Sequence, residues 1–300
     1  MIVAETRAEL REALADRAVV PAADDPVILV PTMGALHEGH ARLFDIAASR
    51  SGQLVASVFV NPLQFGPAED LTRYPRTFDT DLQLCRDHGV DVVFAPSTAE
   101  VYPAGEPMVA IDPGPVGSIL EGASRPGHFR GVLTVVTKLF GLVQPDVAVF
   151  GQKDYQQLVL VTQLVDDLCM PIEVVGADTV RDGDGLALSS RNRYLRREQR
   201  LTALSLPRAL AAGQAAAAEG PTAVLTAAEQ VLAAEPDVAV DYLSLRTLDL
   251  RSPARRGRAR LLVAGRVGDT RLIDNLAVEL GAASADDGGG WPVSVRSAQT

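Results

Sequence analysis

VILVPTMGALHEGHARLF, residues 27–44, decides the architecture. Val27 to Val30 are apolar and mostly β-branched, a run short enough for a buried strand. Gly34 permits a tight turn, and an apolar-periodic segment from Glu38 to about Arg50 reads as a helix. The unit is therefore strand, glycine turn, helix. Two of the four histidines of the chain, His37 and His40, stand where the helix begins, with Gly39 between them. A helix N-terminus carries unpaired N–H groups and partial positive charge, so it is an anion site. A zinc pair and two ordinary surface histidines are the other readings. Zinc needs further ligands, and neither His88, His128 nor the cysteines supply the spacing.

Working outward, strands and helices alternate. Thr6 and Glu9 form a capping box opening a helix to about Arg17. Strands are expected at 54–60, 91–96, 147–151 and 172–180, and helices from Thr77 to His88 (closed by Gly89), over 129–143 and over 154–168. The Gly- and Pro-rich stretch 96–127 has one expected strand, 108–111. This alternation predicts an α/β fold, a parallel sheet with helices on both faces, over residues 1–179. Ligands of such sheets sit beyond the carboxyl ends of the strands, so the turns 31–40, 61–66 and 151–157 are expected at one edge. After a loop, residues 180–281 form a smaller α+β domain. Its helices span 197–218, interrupted at Pro207, and 221–234, and strands follow at 238–248, 259–268 and 270–280. The tail 282–300 lacks apolar periodicity and reads as disordered.

Composition narrows the function. A net charge of −10 argues against nucleic acid held by phosphate attraction. A local positive pocket for a small anion stays compatible with it. No apolar run approaches membrane-spanning length, the start MIVAETRAEL reads as no signal peptide, and Cys85 and Cys169 suit a reducing compartment. The expectation is a soluble cytoplasmic protein. Only two lysines occur, Lys138 and Lys153, so a lysine inside a motif is poor surface filler.

Five further clusters carry chemistry. In GQKDYQQL (151–158), Gly151 ends a strand and Lys153 stands at a helix start, where a cation is disfavoured without an anion. Asp154 is an N-cap or a ribose acceptor. Gln157 lies one turn on, toward the same cleft, and Gln156 faces away. In LALSSRNRY (186–194), Ser189, Ser190 and Arg191 are a phosphate-binding set or a plain linker. In FVNPLQFG (59–66), Asn61 and Gln64 suit a small hydroxylated acid, or Asn-Pro merely fixes a turn. EGASRPGHFRG (121–131) offers Glu121, Arg125 and His128 as a mobile cover. Tyr74, Arg76, Asp79 and Asp81 come from YPRTFDTDL, the aspartates as early-turn carboxylates. No Ser/His/Asp arrangement, GxGxxG or P-loop occurs, which points to a site that holds a nucleotide while two substrates react.

PTMGALHEGH, FVNPLQF, YPRT, GQKDYQQL and LSSRNRYL, in this order, resemble the pantothenate synthetase (pantoate–β-alanine ligase) family, over residues 20–280. The resemblance implies a Rossmann-like domain of the HxGH nucleotidyltransferase group, shared with class I aminoacyl-tRNA synthetases. It implies ATP, Mg²⁺, pantoate and β-alanine as ligands, a pantoyl adenylate intermediate, AMP and pyrophosphate as products, and a homodimer. By position, His37, His40, Lys153, Ser189, Ser190 and Arg191 would hold phosphates, and Gly151 and Asp154 the ribose. Pro31, Thr32, Met33, Gly34, Gly39 and Leu188 would complete the ATP site. Gln64, Gln157, Asn61 and Met33 would meet pantoate, and Asp81 is a candidate Mg²⁺ ligand. Gln152 stands where many relatives have glutamate, Leu188 where methionine is common, and Thr80 where some carry an acid. A nucleotidyltransferase of the same group acting on a phosphorylated acceptor, and a non-catalytic nucleotide-binding module, are the rival readings.

Overall fold

A computed structural model describes residues 1–15, 26–66 and 71–281. Arg17 and the tail 282–300 lie outside the described residues. The described residues form two compact units, Met1–Gln152 with Leu160–Asp178, and Lys153–Val159 with residues 179–281. Lys153–Val159, grouped from sequence with the first domain, thus falls in the second unit.

In chain order the first unit has β1 (Ile2–Ala4), α1 (Arg7–Ala13), β2 (Val27–Thr32), α2 (Glu38–Ala48), β3 (Gln53–Val58), α3 (Phe78–Asp87), β4 (Val92–Phe94), α4 (Thr98–Val101), α5 (Glu121–Ser124), α6 (His128–Val143) and β5 (Val147–Gly151). Helix α7 (Tyr155–Asp167) and β6 (Glu173–Ala177) follow. The six strands are all parallel, in the order β1-β4-β3-β2-β5-β6. Ile28, Val30, Leu54, Ala56, Val93, Val149 and Val175 bury one face of the sheet with Phe44 of α2 and Cys85 of α3. The chain moves outward from β2 through β3 to β4, then returns past β2 to β5 and β6, so the order reverses between β2 and β5. That reversal opens a crevice at the carboxyl ends, the usual ligand position in open α/β sheets.

The second unit has α8 (Arg197–Ala203), α9 (Ser205–Ala215), α10 (Pro221–Ala233), β7 (Val238–Thr247), β8 (Gly257–Val267) and β9 (Thr270–Leu280). The strands form an antiparallel sheet in sequence order. Leu206, Leu210, Val224 and Leu232 of α9 and α10 pack on Leu261, Val263, Leu272 and Val278.

Several local expectations change. Strand β1 was not anticipated, although Ile2 and Val3 are β-branched; it pairs with β4 at the sheet edge. The Thr6–Glu9 capping box forms, but α1 ends at Ala13 rather than near Arg17. No strand occurs at 108–111, and Met108 and Val109 are exposed. The break in the first helix of the second unit falls at Leu204, not Pro207. Pro207 instead sits in the first turn of α9, where its missing N–H has no intrahelical partner to lose.

Candidate active site

Parallel pairing sets Thr32, Val58 and Gly151 at the same edge of the sheet, with β2 between β3 and β5. The turns after β2 and β3 therefore open on the crevice of the first unit. The β2–α2 turn is unusual: Gly34 and Ala35 both have positive φ, 76° and 51°. A side chain at Gly34 would place its Cβ 3.0 Å from Asp81 Oδ2 and 3.1 Å from Val58 Cγ1, so the turn needs glycine for space as well as conformation.

Asp81 explains the strain at Ala35. Its carboxylate is 2% exposed and accepts from Ala35 N–H at 2.9 Å and Leu36 N–H at 2.8 Å. Thr77 Oγ1 also donates to it, at 2.9 Å. Thr77, expected to cap α3, makes no side-chain cap bond. Asp81, read from sequence as a candidate Mg²⁺ ligand, clamps the β2–α2 turn in this structure. Three of the roughly four acceptor sites of this carboxylate are taken by N–H and O–H donors. Among the described residues, no group of three or more His, Cys, Asp or Glu is arranged to hold a metal ion.

His37 and His40 form a reciprocal cap on α2. Gly39 N–H donates to His37 Nδ1 at 3.1 Å, and His37 N–H donates to His40 Nδ1 at 3.3 Å. The ring centroids are 4.2 Å apart. An Nδ1 that accepts leaves the ring proton on Nε2, so the bonding pattern assigns both rings the same tautomer. Each ring thus carries an Nε2–H, the donor that an oxyanion at this helix start requires.

The β3 turn is fixed from behind. Asn61, 1% exposed, donates through Nδ2 to Gly131 O and Gln64 Oε1, both at 3.1 Å. Its Oδ1 accepts from Leu63 N–H at 3.3 Å and Tyr102 Oη at 2.8 Å. All four hydrogen-bonding positions of the amide are committed, so direct contact of Asn61 with pantoate would require breaking one. Burial pushes the Tyr102 phenol up to about 12, which keeps it a neutral donor. Gly131 allows this packing: a Cβ there would lie 2.1 Å from Leu63 O. Gln64, by contrast, donates to Met33 Sδ at 2.8 Å. A thioether is a weak acceptor, cheaply exchanged for an anionic oxygen.

The 121–131 segment packs against the β3 turn. Glu121 and His128 are buried. His128 Nδ1 lies 2.8 Å from Gln64 O, and its Nε2 lies 3.0 Å from Arg125 Nη1. A carbonyl only accepts and a guanidinium only donates, so this ring holds its proton on Nδ1, the opposite tautomer to the α2 pair. Tyr102, Gly131 and His128 were not read as supports of Gln64; only the aromatic in VYP and the glycine at the start of an apolar helix hint at it.

In the second unit Lys153 lies in a short 3-10 turn, with Nζ 3.6 Å from the exposed Asp154 carboxylate. Gln157 is half-buried, and Gln156, read as facing away from the cleft, is buried. Ser189 caps the 3-10 turn Ser190–Tyr194, its Oγ accepting from Arg191 N–H at 3.3 Å. That leaves the hydroxyl proton as the donor Ser189 can offer. Leu188 is tied back through its N–H to Val180 O at 2.9 Å.

Residues 2–277 match the model of the pantoate-beta-alanine ligase family. The chain belongs to that family. It is 57% identical over 290 residues to the pantothenate synthetase of a Nocardioides strain, covering 93% of this chain and 86% of the relative. Against the Mycolicibacterium smegmatis pantothenate synthetase the identity is 55% over 263 residues, 87% and 83% of the two chains. The crystal structure of the Thermus thermophilus pantothenate synthetase is similar at TM-score 0.85 and 48% identity, covering 92% and 99%. The Francisella tularensis ligase, solved with beta-gamma ATP and beta-alanine, matches at TM-score 0.76 and 34% identity, covering 92% and 97%. The protein is a ligase of this family, condensing pantoate with β-alanine at the expense of ATP. Among the described residues, no helix is long and apolar enough to cross a membrane.

Proposed function

We propose that condensation runs through pantoyl adenylate on a MgATP substrate. A pantoate carboxylate oxygen attacks the α-phosphorus, the bond to the bridging oxygen breaks, and pyrophosphate leaves. The amine of β-alanine then attacks the acyl carbon, AMP leaves, and the amine proton passes to solvent. His37 and His40 act as Nε2–H donors to phosphate, with Lys153, Ser189, Ser190 and Arg191. Gly151 and Asp154 take the ribose. Pro31, Thr32, Met33, Gly34, Gly39 and Leu188 line the nucleotide. Gln64 and Gln157 bind pantoate, Gln64 exchanging its thioether partner for substrate oxygen. Asn61 holds Gln64 rather than substrate.

The observation that carries this reading is the histidine cap of α2 at the reversal of strand order. It places two rings, each with its proton on Nε2 by their bonding pattern, at a helix N-terminus on the carboxyl edge of the sheet. Attack of one anion on another is slow because their charges repel, and fixed donors offset that repulsion. Neutral amides bind the acid without competing as nucleophiles. Mg²⁺ is held by the triphosphate and water, since it keeps several waters and Asp81 is otherwise engaged. A cytoplasmic homodimer is part of the same proposal; light scattering tests it as twice the 31.7 kDa of one chain. Mass spectrometry of a mixture with ATP, pantoate and β-alanine tests the reaction. Equal amounts of AMP and pantothenate support it, and ADP as the nucleotide product contradicts it.

A further inference from the structure

Asn275 lies on β9, in a segment read from sequence as plain strand. Its side chain is buried, and Nδ2 donates to the main-chain oxygen of Lys153 at 2.8 Å. Arg260 Nε donates to Asn275 Oδ1 at 2.6 Å. A guanidinium has no acceptor, so the amide oxygen must face Arg260 and the NH₂ must face Lys153. Arg260 is itself held: its guanidinium carbon lies 4.3 Å from the centroid of the Tyr155 ring, and Tyr155 Oη donates to Leu248 O at 3.0 Å. The preceding residue anchors the strand. Asp274, nearly inaccessible, takes a two-pronged pair from Arg181 at 2.6 and 2.9 Å. Arg181 also bridges to Ala187, next to Leu188, so β9 fixes the approach to the Ser189 loop as well.

We infer that Asn275 is a positioning residue for Lys153, acting through the lysine's own carbonyl; this rests on the proposed role of Lys153 at the triphosphate. Lys153 sits in a single 3-10 turn that leads directly into α7. Pinning its carbonyl fixes the following peptide plane, and with it the direction from which the side chain starts. An ammonium on a four-carbon stem is otherwise a flexible charge. The task demands an amide. One end must donate to a carbonyl while the other accepts from Arg260, which aspartate or leucine cannot do.

Asn275→Asp tests this, since it keeps the shape and the Arg260 bond but turns oxygen toward the Lys153 carbonyl. The rate of AMP formation, kcat, is expected to fall about 10- to 100-fold with KM for pantoate within about twofold, the size of loss that small misplacements of a reacting group produce. In a Lys153→Ala background the same change is expected to cost nothing further, because the two act as one unit. A purely structural role for Asn275 would lower both backgrounds alike. Unchanged kcat in Asn275→Asp, or losses that multiply in the double variant, overturns the inference. Should Asn275→Asp not fold, Asn275→Ser is judged by the same two criteria. Wild-type protein that forms no AMP would instead overturn the proposed reaction, an outcome separable from the others.

Discussion

Replacing Asp81 by alanine isolates the clamp that shapes the β2–α2 turn. The carboxylate accepts from Ala35 N–H, Leu36 N–H and Thr77 Oγ1, all within 2.9 Å. Alanine strands two buried backbone donors, each costing about 1–3 kcal/mol. Water entering the space left by the carboxylate recovers part of this, and Ala35, at a φ of 51°, relaxes once its anchor is gone. The net expectation is about 2–4 kcal/mol, a large share of the roughly 5–15 kcal/mol that holds a typical protein folded. Urea unfolding followed by circular dichroism should show a lower midpoint at unchanged slope. Asp81→Asn, which keeps one acceptor oxygen, should lose about half as much. Activity should fall with either change as His37 and His40 shift, and added Mg²⁺ should not restore it. Stability within about 0.5 kcal/mol of wild type in Asp81→Ala, with activity rescued by excess Mg²⁺, would refute the clamp and favour the metal-ligand reading.

Lys153→Ala should lower adenylate formation by at least about 10²-fold with the fold intact, by analogy with losing one charge-stabilising donor; near-normal turnover would contradict the phosphate assignment. Gln152 donates to Gly176 O at 3.3 Å and Asp178 Oδ1 at 3.0 Å, so Gln152→Glu sets oxygen against oxygen. It should destabilise by about 1–3 kcal/mol at neutral pH, with Asp178→Asn recovering part, as read by denaturant midpoint. Burial pushes the Cys85 thiol up to about 12 from 9.0, whereas Cys169 is exposed. A thiol reagent near pH 8 should therefore modify Cys169 in native protein and Cys85 only after unfolding. Because the folded pKa of Cys85 is raised, its stabilising contribution is complete below about pH 9 and is lost toward pH 12, so unfolding midpoints should fall across that window but not below it.

The α/β alternation was legible because buried parallel strands such as Val27–Thr32 and Val147–Gly151 are continuous apolar runs bounded by glycine turns. Strand β1 was harder, being three residues at a sheet edge. The exposed 108–111 segment shows the converse: apolar residues mark a strand only when a neighbour pairs with them. At the site, residues whose chemistry is intrinsic stood out, namely His37, His40, Lys153 and the Ser-Ser-Arg loop. The roles of their supports did not. Asp81, Asn275, Tyr102 and His128 act through pairings across 46, 122, 41 and 64 residues, and local spacing carries no trace of such distant partners. Asn61 illustrates the limit best. Its residue type suggests a substrate ligand, and the structure adds bonds to Gln64, Gly131, Leu63 and Tyr102 that local spacing does not announce.

Exchange of labelled pyrophosphate into ATP tests the central claim most directly, because it reports the reversal of pantoate adenylation alone. Exchange that depends on pantoate, proceeds without β-alanine and collapses in Lys153→Ala is the predicted result. No exchange with pantoate, or exchange only once β-alanine is added, would contradict it.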